Sequence, residues 1–578
     1  MAGLFPVGLT AWIHLLTVLS LYAGHRLNAW VICSLAILAA AATAYLCARS
    51  DRLAFTYRHL SLIGAGQAAL ILAGLVLSLH TFDFSYDGSS YHAPAIQTLR
   101  NGWNPVYEMA FDTWKTQSPG WYLDHYPKFS WLAGVNLAEL TGSTLGARWL
   151  DYILLAGVTP ILFELLRQWG HGPRASAVLS GLLVLNPVVL YQSLSLYTDG
   201  EGYLLIWVTL VGMLGVIHRR GVTPWVLFAI GLTGMINVKF PYLFWGGLFT
   251  ALAIAILAWR RQWKPAMGLA ALALALTVLT GWEPYVNNWI ERGHPLFPAY
   301  GKASPEEDQR RFAQIEMFQL TPDTSRADAW FYEAAPQDMR GKSSLRKWYM
   351  STFSVTKGRG TGKTTRRVFP FDFRRVSFSQ YTSPTIRVAG FGPFFAAMLV
   401  LGLVPLAEAL WRRRSERPVQ LGLLLLLLVT VFIHPEAWFA RYVPQLWAVP
   451  MLAATLGLSS LWRGSRACAV LVVVLALINV LGIGLVYYPT QFRMTLDLQA
   501  QIAELKQRPS PIEAAFQYPY GRGFAATLGD FGLHVKVVES SLCQGRELFA
   551  GKRGRICSGI KPEPGNPKPQ GDPARPEE

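Results

Sequence analysis

Three groups of residues in this chain have the types and spacing to do chemistry. The first is Phe82-Asp-Phe-Ser-Tyr-Asp-Gly-Ser-Ser-Tyr-His92, which places Asp83, Asp87, Tyr91 and His92 within eleven residues. A histidine here can bind a metal, a hydroxyl-bearing acceptor or a phosphate, or it can simply hold structure through a hydrogen bond. Asp87 can equally make a local turn with Gly88. The second group is Tyr197-Thr-Asp-Gly-Glu201. Its two carboxylates, Asp199 and Glu201, suit a divalent cation, and they suit the N-terminus of the helix that follows just as well. The third is a set of cations beside apolar runs: Lys239, Arg292 and Arg441, with His434 and Glu436 a few residues before Arg441. Charges at such positions are costly unless paired or functional. Each of the three cations can clamp a phosphate, arginine more rigidly than lysine, or form a salt bridge to Glu201, Glu283 or Glu436.

The elements that must position these groups are membrane spans. Of the 578 residues, 52% are hydrophobic and only 15% are charged, well under the quarter usual in soluble proteins. Apolar runs of the length needed to cross a bilayer begin near Phe5, Trp30, Leu60, Ala147, Ala175, Gly202, Pro224, Tyr242, Pro265, Val388, Val419, Tyr442 and Ala467. The expected fold is therefore an all-α polytopic membrane protein of about thirteen transmembrane helices. Phe5 to Gly24 lacks a basic leader and a small-residue cleavage site and is read as a retained span.

Lysine and arginine in alternate short loops set the expected orientation. Arg49, Arg52, Arg58, Arg167, Arg174, Arg219, Arg220, Arg260, Arg261, Lys264, Arg412, Arg413, Arg414, Arg417, Arg463 and Arg466 fall on one side; the opposite short loops hold little beyond Arg26, Lys239 and Arg441. The arginine-rich side is read as cytoplasmic, with the N-terminus inside and the C-terminus outside. The expected organisation is a membrane domain over 1–487, with outer loops at about 81–146 and 283–387. A small extracytoplasmic segment over 488–560 and a disordered, Pro- and Gly-rich tail over 561–578 follow. An extracytoplasmic tail permits a disulfide between Cys543 and Cys557; Cys33, Cys47 and Cys468 lie in or beside apolar runs and read as inert core thiols.

The net charge of +17 reads as cytoplasmic anchors plus affinity for anionic headgroups or phosphates, not as a nucleic-acid surface, since no such motif is present. Arg340 to Arg375 holds eleven Lys/Arg and a single acid, Asp372; it is read as a solvated or headgroup-facing run, with recruitment of an anionic lipid or polysaccharide as the alternative. Gly358-Arg-Gly-Thr-Gly-Lys-Thr364 is not a P-loop, because Lys357 stands where the first glycine is required. No nucleophile elbow, His-Glu-x-x-His or Cys-x-x-Cys occurs.

Within the first loop, Ser89 or Ser90 can cap a helix ending near Asn101-Gly102, with Ile96 and Leu99 toward the membrane and Gln97 and Arg100 toward water. An acidic residue soon after an early span, then Tyr-His, then an interfacial helix running to Gly-Trp-Asn-Pro-Val-Tyr107, resembles the GT-C superfamily of multi-span glycosyltransferases. Three other stretches are similar to that superfamily: Trp289-Ile-Glu-Arg-Gly-His-Pro-Leu-Phe-Pro298, Asn237-Val-Lys-Phe240, and His434-Pro-Glu-Ala-Trp-Phe-Ala-Arg-Tyr442. The resemblance covers about Leu60 to Leu461; the chain departs from it by two extra spans before the first large loop and by His294 in place of an asparagine.

The resemblance implies a sugar transferred from a polyprenyl-phosphate donor to a lipid or glycan acceptor in a bacterial cell envelope, at the inner membrane. It implies Asp87 as base or metal ligand, and inversion at the sugar. His92 then joins the catalytic group. Arg441, Lys239, Arg292, Tyr91, His434 and Glu436 become candidates for substrate binding, and Asp87, Asp199 and Glu201 for a magnesium or manganese ion. The rivals are an O-antigen ligase or polymerase, and a lipid or polysaccharide transporter, which would carry ionisable residues mid-span and an internal repeat.

Overall fold

The structure, a computed structural model, describes residues 2–51, 57–110, 120–218, 220–297, 300–301, 335–357, 364–411, 418–516, 521–538, 542–545, 547–549, 553–557 and 559–560. The expected disordered tail, the Gly358–Lys363 stretch and the 302–334 segment lie outside the described residues.

The chain is mostly helical. Eight helices are long and apolar enough to cross a membrane, and five shorter apolar helices of 10–17 residues stand among them. Each apolar run marked in the sequence coincides with one of these helices. The protein is thus a multi-pass membrane protein. Its lipid-facing character shows in the Ile63–His80 and Trp263–Arg292 helices, which leave most of their apolar surface outside the protein, whereas Asp199–Ile217 is almost wholly enclosed. A helix buried all round and apolar all round sits at the centre of a bundle.

The last helix, Arg463–Leu505, runs 43 residues without a break. At 1.5 Å per residue it is about 65 Å long, about twice the hydrocarbon thickness. Its first half is an apolar span. Its second half leads to a small α/β unit in which Ile512–Phe516, the helix Gly521–Asp530 and Val535–Val537 form a parallel strand–helix–strand. Gly554–Ile556 and Glu547–Phe549 extend the sheet antiparallel on the other side. Cys543 and Cys557 are joined in a disulfide, and Cys33, Cys47 and Cys468 are free.

This unit packs directly on the first loop. Phe82 and Phe84 share one apolar core with Leu498, Ile502, Ile512, Phe516, Phe524 and Phe549. Phe82 stacks on Phe531 at 4.8 Å, and its N–H donates to Thr495 Oγ1 at 3.0 Å. The Gly521–Asp530 helix lies directly on the loop: any side chain at Gly523 would meet the Ser89 carbonyl. Asp530 accepts from Arg100 Nη1 at 2.9 Å and from the Thr144 N–H at 2.5 Å.

That cover corrects one expectation. The Ala93–Arg100 helix does not lie on lipid. Ile96 and Leu99 are fully buried against Val18, Leu21, Trp131 and Leu132 of neighbouring helices. Its polar face is under the C-terminal unit. Neither Ser89 nor Ser90 caps it, because a wide π-turn over Gly88–His92 runs straight into it.

Candidate active site

The residues marked in the sequence converge at one end of the bundle, here called the site face. Asp87 sits at the head of the π-turn. Its carboxylate does not make the local turn, because Asp83 does so instead, accepting from the Ser85 N–H at 2.8 Å and the Leu196 N–H at 2.8 Å. Gly88 is required here, since a Cβ would collide with the Asp83 carboxylate and Ser85 Oγ. Asp87, 4% exposed, is left to pair with Arg441 Nη2.

Arg441 lies in a short turn, Ala440–Tyr442, and is 3% exposed. Its Nε is 3.0 Å from Asp199 Oδ2, so one guanidinium spans two carboxylates. Asp199 opens the central helix, where the helix dipole favours a negative charge. Its Oδ1 accepts from Lys239 Nζ at 2.5 Å and its Oδ2 from Gln192 Nε2 at 3.0 Å. Lys239 is the single extended residue between Thr223–Val238 and Phe240–Trp259, and Pro241, two residues on, favours the break. The break delivers the lysine to the central helix. Tyr242 from the same turn donates to the Asp199 carbonyl at 2.8 Å, and only a glycine at position 202 leaves room for its ring.

The result is a buried chain of four charges, Asp87–Arg441–Asp199–Lys239, drawn from four separate elements and neutral in sum. Rings wall it. The Arg441 guanidinium is 4.3 Å from the Tyr197 centroid and 5.3 Å from that of Tyr442; Lys239 Nζ is 4.8 Å from the Tyr442 ring. Tyr197 OH accepts from the Thr385 hydroxyl at 2.7 Å, which brings the second loop to the site. Burial works against the charge on Arg441, yet Asp199 and Asp87 together hold its pKa well above the ordinary guanidinium value.

His92 is one turn past Asp87, its Nδ1 accepting from Trp131 Nε1 at 2.7 Å. Burial pushes its pKa down to about 3, so the ring is neutral. Tyr91 packs on His92 at 4.3 Å and on Tyr126 at 5.5 Å, and burial, followed by the nearby Asp87 charge, pushes its phenol well up. His434 stacks on Tyr442 at 5.6 Å, one ring removed from Lys239; burial lowers its pKa to about 4.

Three expected members stand elsewhere. Glu201 is one turn further into the central helix, where it accepts from Ser130 Oγ. Glu436 pairs with Lys347 at 2.8 Å and with Trp438 Nε1. Arg292 stacks over Phe297 at 4.9 Å. The ligand set Asp87, Asp199 and Glu201 therefore does not converge, and the Arg441 guanidinium occupies the space between the first two. Among the described residues no group of three or more His, Cys, Asp or Glu is placed to hold a metal ion. These residues as arranged do not fit a divalent cation.

Sequence reasoning missed a second buried pair, Lys128–Glu283, at 2.6 Å. Lys128 is 2% exposed and also donates to the Asp124 and Tyr126 carbonyls. The pair borders a small pocket whose wall includes His14, Leu21, Asn237 and Thr280. A lysine just before the Phe129–Thr141 helix, in Tyr126-Pro-Lys128, was the available signal. Tyr197 and Gln192 carried none, being an aromatic and an amide in otherwise apolar surroundings.

No protein-family model matches the chain, and no curated protein does. Among solved structures, the chain is similar to ArnT from Cupriavidus metallidurans, crystallised with undecaprenyl phosphate. The match covers 84% of this chain and 87% of that one, at 13% identity and a TM-score of 0.44.

Proposed function

We propose that the protein is a membrane glycosyltransferase that moves a sugar from a polyprenyl-phosphate donor to an acceptor hydroxyl at the site face, of the GT-C type that its loop motifs resemble. The observation that carries this reading is the four-charge chain. Transfer from a phosphate needs a carboxylate to take the acceptor proton and cations to hold the leaving phosphate. The chain supplies both within ion-pair distance, in a ring-walled and buried setting. In the proposed reaction the donor phosphate takes Arg441 from Asp87 and shares Arg441 and Lys239 with Asp199. Asp87, relieved of Arg441, accepts the hydroxyl proton as the oxygen attacks the anomeric carbon and the bond to the phosphate breaks. Asp199 keeps both cations in place.

The orientation read from the arginines places this face outside the cytoplasm, so a bacterial envelope lipid or glycan is the proposed acceptor. The test is mass spectrometry of envelope lipids and glycans from a deletion strain carrying the wild type or Asp87→Asn at matched protein levels. Loss of one sugar, with its bare acceptor accumulating, supports transfer. Full rescue by Asp87→Asn removes it.

One observation favours a transporter as the second reading. His14 lies in the middle of the first span, fully buried and lining the pocket beside Lys128, with both ring nitrogens lacking a hydrogen-bond partner. A transporter would keep the sugar composition of the Asp87→Asn strain intact while an unflipped lipid accumulated.

A further inference from the structure

The second loop carries a face that the active-site reading does not use. The hairpin of Ser354–Lys357 and Thr364–Arg367 continues into Val368-Phe-Pro-Phe-Asp-Phe-Arg-Arg375. Along it, Phe369 is 68% exposed, Phe371 38% and Phe373 49%. Arg366, Arg367 and Arg374 are exposed between and beside these rings. Three large rings held open in one short stretch are unusual on a surface that faces water alone.

Their position explains them. The rings form a ladder, Phe369–Phe371 at 5.8 Å, Phe371–Phe373 at 6.4 Å and Phe373–Phe394 at 5.6 Å. Phe394 directly precedes the Phe395–Trp411 helix, so the ladder climbs from the end of an apolar helix. The hairpin is anchored on the next helix as well. Its leading helix, Ser344–Thr352, sets Trp348 against Phe432 at 5.4 Å, at the end of Pro418–Ile433. Phe432 and Ile433 are themselves open apolar residues, as are Leu345 and Tyr349 beside them. Exposed apolar surface thus runs from the helix end onto the hairpin, at the level where rings partition into the membrane–water boundary.

We propose that this face is seated in the bilayer leaflet on the site side, its phenylalanines among the upper acyl chains and Arg366, Arg367 and Arg374 on the phosphates of anionic lipids. Charge complementarity decides the class of lipid: Arg340 to Arg375 holds eleven cations against one acid. The rings decide for a membrane over a soluble polyanion, which would need the arginines alone.

The test is hydrogen–deuterium exchange of peptides spanning 364–376 in the full chain, reconstituted in nanodiscs of phosphatidylcholine with or without phosphatidylglycerol. Exchange is expected to slow about tenfold when phosphatidylglycerol is present. Arg366→Gln/Arg367→Gln/Arg374→Gln removes that difference, and Phe369→Ser/Phe371→Ser raises exchange in both lipids. Peptides around Arg441 report that each variant is folded. Equal exchange in both lipids and in detergent overturns the proposal. So does equal slowing by soluble dextran sulfate in phosphatidylcholine alone, which would assign the face to a polyanionic polymer.

Discussion

The two large loops on the site face are built in opposite ways. The first is largely buried over Thr81–Leu99, the stretch that carries Asp87. Asp83 folds its turn, Ile96 and Leu99 pack on spans, and Phe82 and Phe84 are part of the C-terminal core. In the second, the described hairpin and the stretch after it, up to Arg374, are open, basic and lined by exposed phenylalanines, and Thr385 reaches the site. A charge in the first loop is therefore desolvated and specific. A charge on the hairpin of the second is screened and acts collectively. Where a loop's charges sit relative to water decides whether they do chemistry or adhesion.

The comparison is broken or sharpened most sharply at Asp87. Asp87→Asn is expected to lower transfer by about 10²–10⁴-fold, the range for loss of a catalytic base, in an assay with purified protein and lipid-linked donor. Next comes Arg441→Ala, which leaves two buried carboxylates facing one lysine and is expected to destabilise the protein by about 3–5 kcal/mol, read as a fall in melting temperature. Arg374→Gln in the second loop should move the same reading by less than about 0.5 kcal/mol; a larger shift would mean that the loops are not so different.

Asp530→Ala is expected to cost about 1–3 kcal/mol locally, because Arg100 and the Thr144 N–H lose their acceptor. The checking measurement is exchange in the 82–100 peptides, which should speed up without change near Lys239. Acid stability gives a further test. His92 is held neutral with its folded pKa at about 3, below the unfolded value of 6.5, so the unfolded chain binds the extra proton. Its share of stability is full above pH 6.5 and falls as pH drops from there toward 3. His92→Gln should flatten the melting temperature between pH 6.5 and 4.

The apolar helices were legible because crossing a bilayer leaves a long hydrophobic signature that little else imitates. The four charged residues of the site were legible as well, since charge beside an apolar run demands a reason. Their pairing was not. Reading along the chain gave Arg441 and Lys239 the partners Glu201, Glu283 or Glu436, whereas Glu283 belongs to Lys128 and Glu436 to Lys347. Arg441 and Asp87 are 354 residues apart, and nothing local marks which acid a distant arginine will meet. Nor does the Ala93–Arg100 pattern say whether its apolar stripe meets lipid or protein, because both reward the same residues. The C-terminal unit settles that, and its link to Phe82 spans 413 residues.

The unbroken Arg463–Leu505 helix makes that link a matter of phase. Each residue of an α-helix advances the rotation by about 100°. One residue inserted into the polar half would lift the C-terminal unit by about 1.5 Å and swing it by over a quarter turn, carrying Phe524 and Asp530 away from Phe82 and Arg100. The spacing of this rod is thus an angular code: the membrane end and the Asp87 loop agree on geometry only at the length the chain has.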